Sequence, residues 1–293
     1  MAEASGIRGI VWLASYPKSG NTWMRAFLSN YLADGDNPVD INSLDTGGPI
    51  ASARTVFDEA VGVEASDLTQ DEIERYRPRV YRQVAANSSE ILYLKIHDAF
   101  TTTPDGSPLV PPDATKGVLY LIRNPLDVAV SFAHHSAASV DRMIAKMDDP
   151  DFAFVDREDR LYNQLRQRLL TWSGHVVSWV DAPALDVHVV RYEDMKAQTL
   201  ETFRAAVRYL GLADDVARIE KALAFSSFPE LQRQEQEHGF GEKMPQAASF
   251  FRKGEIGTWR EVLTSDHVAS IIAAHGDVMR RFGYLTDAGD VLY

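Results

Sequence analysis

The 293-residue chain contains no cysteine. That one absence excludes disulfides, thiolate metal sites, thiol nucleophiles and thiol redox switches. It fits a reducing compartment. Long apolar runs are missing as well. The longest near the N-terminus, Ile10 to Ala14, is too short for a signal-peptide core or a membrane span. The chain therefore reads as soluble and cytoplasmic, with no membrane partner. Basic charge is in deficit, with 30 Lys and Arg against 42 Asp and Glu and a net charge of −12. Binding along a nucleic-acid backbone needs a basic surface, so no nucleic-acid partner is expected. There is no internal repeat, low-complexity tract or long linker. What remains, 45% hydrophobic and 25% charged, is the composition of a globular enzyme. A small anionic ligand stays compatible with the acidic bulk, because a few cations focused in one cleft dominate the local field.

Four short apolar stretches read as buried strands: Gly9–Ser15, Glu90–His97, Lys116–Arg123 and Asp186–Arg191. The unbroken run Val118 to Ile122 suits a strand buried on both faces, as in a parallel sheet. Helical stripes separate the strands. Trp23, Phe27 and Tyr31 form one. Leu200, Phe203, Val207 and Leu210 form another, with Gly211 at the expected C-cap. Val268, Ile271, Ile272, His275 and Met279 form a third, with Ser265 as N-cap and Arg280 and Arg281 near its end. The alternation predicts a three-layer α/β fold, a central parallel sheet flanked by helices. Asp34 to Asp71, Ser136 to Asp159 and Phe228 to Ser249 lack clear periodicity and are expected as long loops, either substrate walls or surface insertions.

The strongest local signal is Trp12 to Trp23, where a buried strand runs through Lys18-Ser19-Gly20 into an amphipathic helix. Such a turn aims backbone N–H groups and a helix N-terminus at one point, which is a site for an anion. Lys18 adds a mobile positive charge, and Ser19, Asn21 and Thr22 add side-chain donors. The order of residues is not that of a Walker A loop, which needs a Gly-Lys-Ser/Thr end. The site is P-loop-like, a phosphate-binding strand-loop-helix.

The same logic repeats at Leu119 to Ser131. Asn124 suits an N-cap and Pro125 the first helical position. Arg123 closes the strand at its carboxyl edge, where open α/β sheets bind ligands. Ser131 lies about 9 Å down the helix at ~1.5 Å per residue, so Arg123 and Ser131 can grip one phosphate. Alone, Arg123 equally suits a structural ion pair, and Ser131 a helix surface. A third basic element, Phe250-Phe251-Arg252-Lys253-Gly254, continues to Gly257 and Arg260. Its glycines permit close backbone approach to a ligand.

In this order and at these separations, the three elements resemble the cytosolic-type sulfotransferases, which use 3′-phosphoadenosine-5′-phosphosulfate (PAPS). The family's Tyr-Pro-Lys-Ser-Gly-Thr-Thr-Trp loop is similar to Tyr16 to Trp23, with Asn21 at the first Thr. Its Arg-Asn…Asp-Val-Ala-Val-Ser motif is similar to Arg123, Asn124 and Asp127 to Ser131. Its Arg-Lys-Gly-x-x-Gly-Asp-Trp-Lys signature is similar to Arg252 to Arg260, with departures at Thr258 and Arg260. The resemblance covers about residues 8 to 285. It implies a cofactor site of Lys18, Ser19, Gly20, Asn21, Thr22, Trp23, Arg123, Ser131, Tyr192, Ser226, Phe228, Phe251, Arg252, Lys253 and Gly254. Within it, Tyr192 would touch the adenine side, and Trp23 and Phe228 would sandwich the base. Without the resemblance, Trp23 and Phe228 read as core aromatics. Matched elements from both ends of the chain have to meet, so one sulfotransferase domain over residues 1–293 is expected.

His97 follows the strand Ile91 to Ile96 at the carboxyl rim that also carries Lys18 and Arg123. The resemblance makes Lys95-x-His97 the motif of the catalytic base. A histidine has the intrinsic pKa for that work. Lys95, two residues back, faces the same side and can bind the transferring sulfuryl oxygens. The family's following Leu-Pro is replaced by Asp98-Ala99, and Glu261 to His267 match its dimer motif poorly, leaving oligomeric state open. His134 and His135 are adjacent on a helix and point about 100° apart, so they make poor co-ligands, and no metal is expected. The implied activity is transfer of a sulfuryl group from PAPS to the hydroxyl of a small-molecule acceptor, with Lys18 stabilising the leaving phosphate. A nucleotide-dependent phosphotransferase and a non-catalytic nucleotide-binding protein are the alternatives.

Overall fold

The computed structural model describes residues 9–157, 159–244 and 247–293. In chain order the elements are β1 (Ile10–Ser15), α1 (Asn21–Ala33), α2 (Arg54–Val61), α3 (Gln70–Asn87), β2 (Leu92–Ile96) and β3 (Thr115–Ile122). Then come α4 (Pro125–His135), α5 (Val140–Met147), β4 (Ala153–Phe154), β5 (Gln167–Arg168), α6 (Trp172–Val180) and β6 (Val187–Arg191). The chain ends in α7 (Tyr192–Ala197), α8 (Thr199–Tyr209), α9 (Val216–Phe225), α10 (Phe228–His238) and α11 (Ser265–Arg281). The result is an α/β fold with a four-stranded parallel sheet, order β2-β1-β3-β6, flanked by helices. Each predicted strand is present. β1 and β2 pair in parallel from Ile10↔Leu92 to Ala14↔Ile96. All six residues of β1 are buried, as the unbroken apolar run requires.

The chain divides into two compact units. The first holds residues up to Tyr16, Gly47–Tyr120 and Pro150–Val189. The second holds Pro17–Thr46, Leu121–Asp149 and Val190–Tyr293. In the first unit Tyr81 of α3 packs edge-on against Trp12 of β1 at 5.0 Å, with its hydroxyl beside Arg77. In the same unit His175 of α6 packs on Tyr120 of β3. In the second unit Phe27 of α1 meets Phe203 of α8 at 4.6 Å. No described helix is long and apolar enough to cross a membrane.

Local chemistry explains the helix boundaries. Asn124 caps α4 by accepting the Leu126 N–H, and Pro125 opens the helix. Leu210 ends α8, and Gly211 follows at φ +68°. The cap of α11 is Thr264 rather than Ser265. Its hydroxyl accepts from the His267 N–H, and the His267 ring accepts from the Thr264 N–H in return. Ser265 is instead the first helical residue. The three expected loops also need correction, because each contains helix. Asp34–Asp71 holds α2 and the start of α3, Ser136–Asp159 holds α5 and β4, and Phe228–Ser249 holds α10. Residues 158, 245 and 246 of these stretches lie outside the described residues. Two of these helices bury one apolar side chain each, Phe57 in α2 and Leu231 in α10, whereas the short α5 buries Met143, Ile144 and Met147. A search for apolar periodicity has little to find in α2 and α10, and α5 is only eight residues long.

Candidate active site

The donor half of the expected site lies within the second unit. Its first part is the turn before α1. Lys18 and Gly20 both hold positive φ, +70° and +99°. For Lys18 this is a sparsely populated conformation that costs roughly 1–3 kcal/mol, which surrounding structure has to hold. Alternating backbone of this kind turns N–H groups to one side. No side chain caps α1, so its first N–H groups keep their positive end for a ligand. The Ser19 hydroxyl is fully buried and has no hydrogen-bond partner. Gly20 is required here, since a Cβ would lie 2.8 Å from the Tyr192 ring.

Arg123 draws the other motifs to this turn. Its Nη1 donates to the Lys18 carbonyl (3.3 Å) and its Nη2 to the Glu255 carbonyl (2.8 Å). The guanidinium lies 4.3 Å over the Tyr192 ring, and its Nε is unpartnered. Asp127 fastens the third element. Its Oδ2 accepts the Gly257 N–H at 2.7 Å, and its Oδ1 accepts the Thr258 hydroxyl and the Trp259 N–H, each at 3.1 Å. Glu193 supports Arg123's neighbour, accepting from the Asn124 N–H and the Tyr284 hydroxyl, and burial raises its carboxyl pKa.

Aromatic rings surround these groups. Trp23 and Phe228 are each half-buried and pack against one cluster that includes Ala26, Phe240 and Phe251. Trp23 also meets Tyr192 edge-on, and its indole Nε1 is unpartnered. Phe228 lies so close to Gly254 that a Cβ there would be 2.5 Å away. Phe251 is buried in the cluster itself. Lys18 Nζ stands 4.1 Å above the Phe250 ring. Burial lowers the His134 pKa, and Arg252 and Lys18 push it the same way. Lys253 pairs with Glu261 at 2.6 Å. The Ser226 hydroxyl donates to the Ala222 carbonyl, and Ser131 is half-buried on α4.

His97 and Lys95 lie in the first unit. His97 Nδ1 is 2.8 Å from the Ser15 carbonyl, which can only accept, and 3.3 Å from the Ser15 hydroxyl, which can do either, so the shorter contact assigns the proton to Nδ1. Nε2 is then the basic nitrogen of the neutral ring. The His97 carbonyl accepts in turn from His175 Nε2 at 3.0 Å. His175 is fully buried, its pKa pushed down to about 4 by desolvation, so its ring is neutral. With Nε2 donating, its Nδ1 accepts from the Tyr120 hydroxyl at 2.8 Å. Lys95 is half-buried on β2, opposite Leu13 of β1.

The family described as Sulfotransferase domain matches residues 9–283. The chain belongs to the sulfotransferase family. This sulfotransferase is 22% identical over 281 residues to a flavonol 3-sulfotransferase of Flaveria bidentis, covering 89% of this chain and 78% of the relative. It is 25% identical over 261 residues to sulfotransferase 2A1 of Rattus norvegicus, covering 86% of this chain and 78% of that one. A retinol dehydratase solved with retinol and PAP shares the fold at a TM-score of 0.61 and 18% identity. That superposition covers 99% of this sulfotransferase and 84% of the other chain.

Several residues that hold these elements in place give little sign of it in the sequence. In the sequence Asp127 stands only as a motif letter, although its spacing of four from Arg123 is a hint. His175 and Arg77 give no local signal, because their partners lie far away in sequence, and Glu193 shows only as a letter of the Tyr192-Glu193-Asp194-Met195 match. Asp98 had one signal, its departure from Leu-Pro.

Proposed function

We propose that this enzyme moves a sulfuryl group from PAPS to the hydroxyl of a small-molecule acceptor, in the cytoplasm and without a metal. The observation that carries the reading is Arg123, which ties the Lys18 turn to the Glu255 carbonyl next to Arg252-Lys253-Gly254. Three sequence motifs with no local reason to meet thus share one cation. The residues present suit a bisphosphorylated adenosine. The buried Ser19 hydroxyl and Arg123 Nε lack partners, and the uncapped N-terminus of α1 favours an anion.

In this reading Ser19, Gly20, Asn21 and Thr22 hold the 5′-phosphosulfate. Arg123, Ser131, Arg252, Lys253 and Gly254 hold the 3′-phosphate. Trp23, Phe228 and Tyr192 hold the adenine, with Ser226 and Phe251 behind them. PAPS supplies the sulfuryl group and leaves as the 3′,5′-bisphosphate. Lys18 balances the charge that grows on the 5′-phosphate as the S–O bond breaks. His97 Nε2 takes the acceptor's hydroxyl proton as the new O–S bond forms. Lys95 holds the sulfuryl oxygens. Because the family match runs through segments of both units, we read the chain as one sulfotransferase domain. The named relatives, a flavonol sulfotransferase and a retinol-bound dehydratase, favour a hydroxylated acceptor of that size.

The test is transfer of labelled sulfate from PAPS to a panel of phenols and alcohols in the presence of excess chelator. Sulfated product is expected on at least one acceptor, unaffected by chelation. Phosphoryl transfer from ATP that chelator abolishes would contradict the reading.

A further inference from the structure

The segment after His97 is held in an unusual way. The resemblance calls for Leu-Pro there, where a proline ring would stiffen the backbone. Asp98-Ala99 has no such stiffness of its own. Instead, three consecutive residues are fixed by hydrogen bonds within the first unit. The His97 carbonyl accepts from His175 Nε2, the Asp98 carbonyl from Trp179 Nε1 at 2.9 Å, and the Ala99 N–H donates to the Arg168 carbonyl at 2.7 Å. The Asp98 carboxylate itself receives a two-pronged bond from Arg77, with Nη1 to Oδ1 at 2.8 Å and Nη2 to Oδ2 at 2.7 Å.

Both side chains are 1% exposed. Arg77 also donates from Nε and Nη2 to the Tyr81 hydroxyl and from Nη1 to the Arg166 carbonyl. All five guanidinium N–H groups are thus engaged. One turn earlier on α3, the buried Glu74 carboxylate pairs with Arg166 and Arg168, each at 2.7 Å, holding the strand that faces Ala99. Burial opposes the Arg77 charge, and Asp98 and Tyr81 more than reverse that, so its pKa rises.

A buried pair of this kind is a weak device for stability, since desolvation consumes most of its Coulombic gain. What it delivers is a fixed geometry. We propose that Arg77, acting through Asp98, is a positioning residue for His97. The pair holds the backbone so that His97 Nδ1–H stays on the Ser15 carbonyl and Nε2 keeps its direction. The inference rests on reading His97 as the base.

The test compares the wild type with the double variant Arg77→Met/Asp98→Leu, with Arg77→Lys, and with His97→Asn. The double variant replaces the pair with apolar groups of similar size, the exchange most often tolerated. PAP affinity within twofold of wild type reports an intact fold. The proposal expects kcat on an unactivated alcohol to fall about tenfold or more, as for a small misplacement of a reacting group, with KM for PAPS unchanged. Arg77→Lys, which cannot make the fork, should fall between. Nitrogen NMR of the His97 ring, assigned by its loss in His97→Asn, should show the Nδ1–H tautomer in wild type and a mixture in the double variant. A double variant that keeps both wild-type kcat and a pure Nδ1–H tautomer overturns the positioning role. If His97→Asn retains full turnover, it is the base assignment that fails, and the tautomer measurement alone decides the positioning. Should the double variant not fold, Asp98→Asn serves in its place with the same NMR readout. A pure Nδ1–H tautomer there would equally count against the proposal.

Discussion

Arg123 is the residue at which the donor half of the site is held together. Two of its nitrogens are committed to the carbonyls of Lys18 and Glu255, and Nε points to no protein acceptor. Replacing it with alanine removes a charged donor from a site that is 8% exposed. PAP affinity should fall about 30-fold, roughly 2 kcal/mol for a desolvated charge-assisted bond. Affinity for a nucleotide lacking the 3′-phosphate should change much less. Calorimetric titration of both ligands checks this, and equal losses for the two would remove Arg123 from the 3′-phosphate. Lys18 is a different kind of residue. Its strained backbone and its place over Phe250 fit a group whose task arises in the transition state. Lys18→Ala should therefore lower kcat by two orders of magnitude or so while changing PAP affinity by far less.

At the scale of elements, what the sequence made legible was whatever is local. Strand into turn into helix could be read at both Lys18 and Arg123, because Gly20, Asn124 and Pro125 act on their own neighbours. The helix α3 could not be read, and its buried residues explain why. They include Glu74 and Arg77, so its inward face is partly charged and breaks the apolar stripe on which such reading depends. The partners that make those charges tolerable, Asp98, Arg166 and Arg168, sit far off in sequence. The same holds for Asp127, whose three bonds reach the turn at Gly257 to Trp259. This carboxylate is the tether between α4 and the third motif. Asp127→Ala leaves two partly buried N–H groups and the buried Thr258 hydroxyl without their acceptor, so the Arg252-Lys253-Gly254 turn should loosen. PAP affinity is expected to drop about tenfold, and proteolysis should newly cut near Gly254. Unchanged affinity with no new cleavage would show that the turn holds itself.

For the whole molecule, the buried neutral histidines set its behaviour in acid. His175 has its pKa lowered to about 4, against ~6.5 in an unfolded chain. The unfolded state therefore binds the extra proton first as pH falls, and stability declines from about pH 6.5 down to about pH 4. Above that window the contribution is complete. The loss attributable to His175 is at most about 3 kcal/mol. His275, lowered to about 4 as well by burial, acts in the same direction. Urea unfolding at pH 7.5 and pH 5 should show the decline, and His175→Gln should reduce it. An unchanged pH slope in the variant would mean that His175 does not titrate on unfolding. Because the His175 ring also holds the His97 carbonyl, the same group that titrates here supports the proposed base. In the proposed reaction His97 accepts the acceptor's proton. The most direct test is single-turnover sulfuryl transfer from PAPS to an unactivated alcohol by His97→Asn. The expected rate is at least ~100-fold below wild type with PAP affinity unchanged, with a smaller deficit for acidic phenols. A near-normal rate on the alcohol would contradict it.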